Sequence, residues 1–208
     1  MLENVEVLKH SSIRMKKSKT IYIDPYKIDT KYTDADIVFC THSHYDHFSL
    51  EDILLVSRID TYFVVTEDIK SSLQMIGIPQ NQIITVRPNE THTVDEVEFT
   101  TIPAYNENKK FHPKKNEWVG YIINLDGIKY YIAGDTDNIE EARKVECDAA
   151  FLPIGGTYTM DYKEAAELAN NIKANVIIPT HYGCIVGEKE DAEKLKKLLE
   201  KDVEIIMK

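Results

Sequence analysis

The chain has 208 residues, enough for one large domain or two small ones at the roughly 150 residues typical of a domain. With 43% hydrophobic and 29% charged residues, it has the composition of a globular protein. Its formal charge of -10 argues against nucleic acid as the main partner, because phosphate binding needs a basic face that releases counterions.

Cysteine spacing and the absence of targeting signals point to the cell interior. Cys40, Cys147 and Cys184 are far apart and odd in number, which argues against a disulfide framework. No stretch approaches the roughly 18 apolar residues of a membrane span, and the N-terminus lacks the pattern of a signal peptide. We therefore expect a cytoplasmic protein. Because no Ser/Gly-rich linker divides the chain, we expect residues 1–208 to form a single domain.

The first half alternates short strands with two helices. A helix begins at Ser49, because Ser49-Leu50-Glu51-Asp52 has the pattern of a capping box, and a second runs from about Glu67 to near Gly77. Runs rich in Val, Ile, Tyr or Phe predict the strands Asn4 to Leu8, Thr20 to Ile23, Ile37 to Cys40, Tyr62 to Val65, Ile83 to Val86 and Val97 to Ile102.

The second half opens with a hairpin. Val119 to Leu125 and Ile128 to Ala133 flank Asp126-Gly127, a dipeptide that supplies the positive φ angles of a type I′ turn. Asp161 with Glu164 repeats the capping-box pattern. After the hairpin the predicted elements are a helix from Ile139 to Lys144, a strand from Ala149 to Leu152, a helix from Tyr162 to Ile172, a strand from Val176 to Ile178, a helix from Glu190 to Glu200 and a strand from Val203 to Met207.

The order of these elements indicates the architecture. In both halves, antiparallel strands come first and βα units follow. This order predicts an α+β fold of two mixed sheets packed face to face, with helices outside. An ordinary α+β domain fits the order as well.

The most informative segment is Thr41-His42-Ser43-His44-Tyr45-Asp46-His47, which directly follows an apolar run. In an extended chain, residues two apart point to the same side, so His42 and His44 are expected to project together from a strand end. Asp46 and His47 fall on the turn before the helix. Imidazoles and a carboxylate suit a borderline-soft divalent ion such as zinc. Because these ligands exceed what one tetrahedral ion with an open position accepts, the spacing predicts a two-metal site.

Two distant segments are candidates to complete this site. Asp135 follows Gly134 at the end of the strand Ile128 to Ala133, where a carboxylate can bridge two ions. His181 follows the apolar strand Val176 to Ile178. The THSHYDH segment, Asp135 and His181 each lie where a strand ends and a loop begins. Functional sites of layered sheets commonly form from such loops.

These residues resemble the signature of the metallo-β-lactamase superfamily: a run similar to THSHYDH, a later Gly-Asp and a final His. The resemblance covers nearly the whole chain, and it implies a four-layer αββα sandwich with the metals at one edge of the two sheets. The chain is most similar to small bacterial metal-dependent hydrolases, the branch that includes ascorbate-phosphate lactonases and N-acylphosphatidylethanolamine phospholipases. The further segments that resemble this branch are 102–106, 118–121 and 155–161.

The resemblance implies a ligand set. His42 and His44 are expected to bind the first metal, and Asp135 is expected to bridge the two ions. The second metal is expected to take Asp46, His47 and His181. The superfamily usually supplies a third imidazole to the first metal from the segment where this chain has Asn106, and His112 in the following loop is the alternative.

The expected chemistry is hydrolysis. Metal binding lowers the pKa of water from about 16 to about 7, so a metal-bound hydroxide becomes available to attack a small ester, lactone or phosphodiester. Asp46 is the candidate catalytic residue, accepting a proton or passing one to the leaving group. The candidate substrate contacts are Tyr105, Tyr158 and His10.

A group of lysines surrounds His112 in an otherwise acidic chain. Its members are Lys109, Lys110, Lys114 and Lys115. They are expected either to attract an anionic small-molecule substrate or to form a solvated, mobile loop.

Two other functions fit the same residues. A metal-binding sensor without turnover is one, and a di-iron redox protein is the other, although 208 residues leave no room for the flavin domain usual in such proteins. We expect two divalent ions, with zinc ahead of manganese and iron, since His and carboxylate ligands accept all three. The sequence leaves open whether the chain forms a homo-oligomer.

Overall fold

The structure, a computed structural model, describes residues 1–199 and 202–204. In them the helices are Leu50–Val56, Glu67–Met75, Glu140–Arg143, Tyr162–Asn171 and Asp191–Lys196, named α1 to α5 in order. The strands β1 to β13 are Val5–Lys9, Ser12–Lys16, Thr20–Ile23, Ala35–Phe39, Ser57–Thr66, Ile83–Val86, Thr91–Val94, Val97–Pro103, Val119–Leu125, Ile128–Ile132, Ala149–Pro153, Val176–Thr180 and Asp202–Val203.

The described strands form two mixed sheets. The first contains β1 to β6 in chain order, antiparallel up to β3 and parallel from β3 onwards. The second contains β7 to β13, again in chain order, antiparallel up to β10 and parallel afterwards. The predicted order, antiparallel first and parallel later in each half, is confirmed.

Three hydrophobic clusters define four layers. Along β4, Ile37 and Phe39 belong to the central cluster between the sheets, whereas Val38 belongs to an outer cluster with α1 and α2. This alternation follows from the two-residue period of a strand, so β4 is buried on both faces. Phe39 contacts Phe99 and Tyr121 of the other sheet, each with ring centroids 5.0 Å apart. Helices α3 to α5 cover the outer face of the second sheet, which confirms the αββα sandwich.

Local signals in the sequence are largely reproduced. Asp126 and Gly127 have φ angles of 55° and 75°, as the type I′ turn requires. The capping box of α4 is complete. Ser49 caps α1 by accepting from the amide of Asp52, but the Asp52 carboxylate accepts from the amides of Lys27 and Ile28 instead of bonding back to Ser49. That capping box is therefore only half formed.

Two strands were not predicted. In β2, Ile13 and Met15 point into the core, but lysines and serines surround them and dilute the apolar pattern. Only Val94 of β7 is buried, so β7 has almost no apolar signal. Of the predicted strand from Val203 to Met207, the structure describes only the start, because residues 205–208 lie outside the described ranges.

One edge of the sandwich gathers the chemically active loops. Since β1 and β3 both run antiparallel to β2, and β4 runs parallel to β3, these three strands end at the same edge of the first sheet. By the same reasoning, β8, β10 and β12 end together in the second. In the described residues, no helix combines the length and the apolar character needed to cross a membrane.

Candidate metal centre

Imidazoles and carboxylates from these strand ends converge into three overlapping groups. Within each group, the candidate ligand atoms lie within 4.8 Å of one another. The six residues expected as ligands are all present, and His112 and His10 join them. The groups are His42, His44 and His112; His42, His47 and Asp135; and His10, Asp46, His47 and His181.

The first group is built on a bend. Since β4 ends at Phe39, His42 and His44 do not extend the strand as expected. A turn in which the His44 carbonyl accepts from the amide of His47 instead folds the motif back. His42 Nε2 nevertheless lies 3.1 Å from His44 Nδ1. The His112 ring is 5.1 Å and 4.9 Å from the rings of His42 and His44, measured between centroids.

The structure separates the roles of Asn106 and His112. Asn106 Oδ1 accepts from the backbone amide of His112 and lies 3.0 Å from His112 Nδ1. The Asn106 amide group donates to Asp137 Oδ1 and to the Tyr158 carbonyl. The imidazole of His112 therefore reaches the first group, and Asn106 stands behind it and holds it.

Asp135 lies between the two sides of the centre. One of its oxygens is 3.1 Å from His181 Nε2 and 3.2 Å from His112 Nε2, and the other is 3.2 Å from His47 Nε2. Asp46 Oδ2 lies 3.6 Å from His181 Nε2 and 3.7 Å from His47 Nε2. The Asp135 carboxylate thus lies close to His112 of the first group and to His47 and His181 of the third group, as a bridging ligand requires.

The donor atoms fit a divalent cation. Nε2 of His47, His112 and His181 and Oδ1 of Asp135 are buried and have no hydrogen-bond partner among the described residues. Leaving a buried polar atom unpaired costs about 1–3 kcal/mol. Cations placed among these atoms would satisfy them together, whereas hydrogen bonds at their present angles do not.

Neighbouring side chains fix the orientation of three imidazole rings in the centre. Asp24 Oδ2 lies 2.7 Å from His47 Nδ1, and Thr41 Oγ1 lies 3.0 Å from His42 Nδ1. With Asn106 on His112, three imidazoles are held through Nδ1, which leaves Nε2 for the centre. Asp24 and Thr41 were missed in the sequence. Asp24 directly follows β3, which pairs with β4, and this position at a strand end was the only feature of the sequence that could have placed it in the site.

Electrostatics in the centre favour a bound cation. Burial opposes ionisation of Asp135, but the charges of His181 and His47 outweigh it and hold the pKa of that carboxyl well below its usual range. Burial also opposes protonation of His181, yet Asp135 raises its pKa to about 8. Burial lowers the pKa of His42 well below its ordinary value. The carboxylates therefore draw positive charge inward, while His42 is kept neutral, as a ligand must be.

A cleft of about 210 Å³ opens onto the centre, and we call it the aromatic cleft. Larger surface grooves of about 620 and 590 Å³ lie elsewhere, and their walls contain none of the residues of the three groups. The aromatic cleft is lined by His44, Tyr45, Asp46, Phe111, His112, Asp135, Tyr158 and Ile185.

Of the three expected substrate contacts, only Tyr158 lines the aromatic cleft. His10 lies at the same edge but is completely buried, with Nε2 3.2 Å from Asp46 Oδ2 and its ring 3.9 Å from that of His181. The Tyr105 hydroxyl donates to Glu141 and lines a different groove. Neither side chain lines the aromatic cleft.

Trp118 packs against the first group. Its ring centroid lies 4.9, 4.8 and 5.6 Å from those of His42, His44 and His112. The indole Nε1 donates to Asp68 Oδ2 over 2.9 Å. The three imidazoles are therefore backed by a large apolar ring that is itself anchored to α2.

Comparison with known proteins gives a consistent picture. The chain is 31% identical to a UPF0173 metal-dependent hydrolase from Thermococcus onnurineus, over 98% of this chain and 95% of that protein. A crystal structure from Parabacteroides distasonis, described as a metal-dependent hydrolase, superposes with a TM-score of 0.84 at 31% identity, covering 97% of this chain and 91% of the other. A di-iron β-hydroxylase from Streptomyces venezuelae shares the fold, with a TM-score of 0.77 at 15% identity, over 98% of this chain and 52% of that one. The profile of the beta-lactamase superfamily domain matches residues 4–181. The chain belongs to the beta-lactamase superfamily.

Proposed function

We propose that this protein is a metal-dependent hydrolase with two divalent ions, acting on a small ester, lactone or phosphodiester. The observation that carries the proposal is the convergence of buried, unpaired imidazole nitrogens on Asp135, which lines the aromatic cleft. Relatives that match nearly the whole chain are named metal-dependent hydrolases.

We assign the ligands by the two sides of Asp135. His42, His44 and His112 would hold the first ion, Asp46, His47 and His181 would hold the second, and Asp135 would contribute to both. When bound, such ions lower the pKa of water to about 7 and polarise the substrate oxygen. Imidazole and carboxylate donors favour zinc, with manganese and iron as alternatives.

Asp46 is the candidate proton acceptor. It lines the aromatic cleft, and so it faces the space where a substrate binds. Burial opposes its ionisation, but contacts with His10 and His181 hold its pKa below its usual range. The carboxylate is therefore ionised at neutral pH, which is the form that can accept a proton. Because the lowered pKa also makes it a weak base, it can take the proton only from a water that bound ions have made acidic, and it would then pass that proton to the leaving oxygen.

Metal analysis coupled to a hydrolysis panel tests this function. Protein purified without added metal is compared with the variants His44→Ala and Asp46→Ala, and with His92→Ala, which changes a half-buried histidine outside the three groups. We expect both site variants to lose bound metal and hydrolysis together, while His92→Ala retains both. Full metal content with unchanged turnover in the site variants contradicts the ligand assignment. Retained iron without hydrolysis of any ester, lactone or phosphodiester points to the redox alternative, and retained zinc without hydrolysis points to the sensor.

A further inference from the structure

We propose that the substrate carries an uncharged, flat apolar group beside its scissile bond and that the walls of the aromatic cleft bind this group. The inference rests on the proposed function and adds the class of substrate. The residues that line the cleft are of two kinds. The candidate metal-binding residues, which we call the floor, are His44, Asp46, His112 and Asp135, and the aromatic and aliphatic residues, which we call the walls, are Tyr45, Phe111, Tyr158 and Ile185.

The walls expose large apolar surfaces in a concave place. Tyr45 is 65% exposed and Phe111 is 45% exposed. The ring of Phe111 meets that of Tyr158 edge-on, with centroids 4.6 Å apart and planes at 90°. Exposed rings that face one concave space next to polar groups are typical of a ligand site, because they gain by being covered.

The loop from Asn106 to His112 carries residues of both the walls and the floor. The amide of Asn106 donates to the His112 carbonyl over 2.7 Å, and the amide of His112 donates to Asn106 Oδ1, which closes the loop between them. Phe111 directly precedes His112 in this loop. The Tyr158 carbonyl accepts from the same Asn106 side chain over 2.9 Å. The backbone that carries both rings is therefore held close to His112, so a group bound between the rings lies beside the scissile bond.

Among the described residues, the lining of the aromatic cleft holds no lysine or arginine that could pair with a remote anionic group of the substrate. Lys109 pairs with Asp137 at 2.7 Å, and Lys114 pairs with Glu141 at 2.9 Å. Burying a charge without a partner is costly, so a charged group against these walls would weaken binding. Any negative charge of the substrate must then lie at the scissile group, facing the floor.

The size of the cleft limits the substrate. A volume of about 210 Å³ is below the roughly 300–1,000 Å³ of sites that take drug-sized ligands. A single ring joined to a short acyl or phosphoryl group is the kind of molecule that fits.

A matched pair of esters tests the inference. Benzyl acetate is compared with 4-(acetoxymethyl)benzenesulfonate, which has a similar reacting centre and adds a remote charge that coordinates metals poorly. With the zinc-loaded protein, we expect kcat/KM to be at least about tenfold higher for benzyl acetate. Binding of the two corresponding inert methyl ethers, followed by ligand-observed NMR, is expected to show the same preference without any turnover.

Two variants assign the preference to the walls. Phe111→Ala is expected to reduce the preference for the neutral compound in both measurements, and Met75→Ala, at an exposed apolar side chain outside the cleft, is expected to retain it. Equal turnover and equal binding of the neutral and charged compounds, unaffected by Phe111→Ala, would overturn the inference while leaving the hydrolase function intact. Preferred binding of the neutral ether without turnover of either ester would support the inference and count against a carboxylic ester as the substrate.

Discussion

At the scale of single residues, Asn106 shows how the first group is completed. An amide here cannot replace an imidazole as a ligand for zinc, but it can hold one. Asn106 accepts from His112, donates to Asp137 and donates to the Tyr158 carbonyl, so its hydrogen bonds use both ends of the amide. The imidazole supplied to the first group thus comes from six residues further along the chain, and Asn106 sets its direction.

Asn106→Leu tests this dependence. Leucine has nearly the same shape but can neither accept from His112 Nδ1 nor donate to Asp137. Loss of a side chain that hydrogen-bonds to a metal-binding histidine typically costs about 10–100-fold in metal affinity, and we expect a loss in that range at the first of the two proposed sites. Competitive zinc titration against a chromophoric chelator measures it, with Asn171→Leu, an exposed position on α4, as the control. If both variants bind zinc as the wild type does, Asn106 has no orienting role.

Sequence patterns predict the candidate metal-binding residues better than the residues that hold them in place. Histidines spaced two apart after an apolar run are typical of a metal site, so His42 and His44 could be predicted as metal-binding residues from the sequence alone. Asp24 could not, because its contact with His47 depends on β3 and β4 being neighbours. His112 remained one of two alternatives, since loop conformation decides which side chain reaches the centre.

At the scale of elements, the start of α2 anchors the loop between β4 and α1, which carries His42 and His44. The Asp68 carboxylate in the first turn accepts from Ser43 Oγ, from Thr66 Oγ1 and from Trp118 Nε1. Burial opposes its ionisation, but these hydrogen bonds outweigh it and lower the pKa of Asp68. One carboxylate therefore ties α2 to the loop that carries His42 and His44 and to the ring that backs them.

Asp68 gives a pH dependence with a definite sign. Because its pKa is lower in the folded protein than in the unfolded chain, its ionised form stabilises the fold above the unfolded pKa of about 3.9. That contribution is lost as the pH falls through the folded pKa. We expect Asp68→Asn to be less stable near pH 6, and its unfolding free energy to fall less steeply with pH below about 4. Urea denaturation at several pH values measures both, and parallel curves for variant and wild type would contradict the assignment.

The elements that escaped prediction share a physical cause. A strand is visible in a sequence when it buries enough apolar side chains, and β4, β11 and β12 do so on both faces. The four residues of β7 bury one side chain, and β2 is masked by polar neighbours. The βα order after each antiparallel run was enough to predict two mixed sheets, since it depends on the well-marked strands.

At the scale of the whole molecule, the centre joins the two halves. The first sheet and its loops supply His42, His44, Asp46 and His47, and the loops of the second supply His112, Asp135 and His181. Ions bound there would cross-link the two sheets at one edge. They would add to the hydrophobic cluster that already holds the sheets together by packing. Metal binding and the stability of the sandwich should therefore be coupled.

Metal removal measures this coupling. At free metal about 100-fold above its Kd, binding to the folded state stabilises it by about 2.7 kcal/mol per ion. For a chain of this size, about 1 kcal/mol shifts Tm by roughly 2–4 °C. We expect chelator-treated protein to melt at least about 5 °C lower than the zinc-loaded protein, with Tm restored by added zinc. A Tm that is the same with and without metal contradicts a shared centre.

The position of Trp118 gives the protein a built-in optical probe. It is the one tryptophan of the chain, and its ring packs at an angle against the three imidazoles of the first group. Emission excited at the indole band therefore comes from a single ring at the centre. Occupancy of the first group can be followed in the unlabelled, unmodified chain, independently of turnover and before any substrate is known.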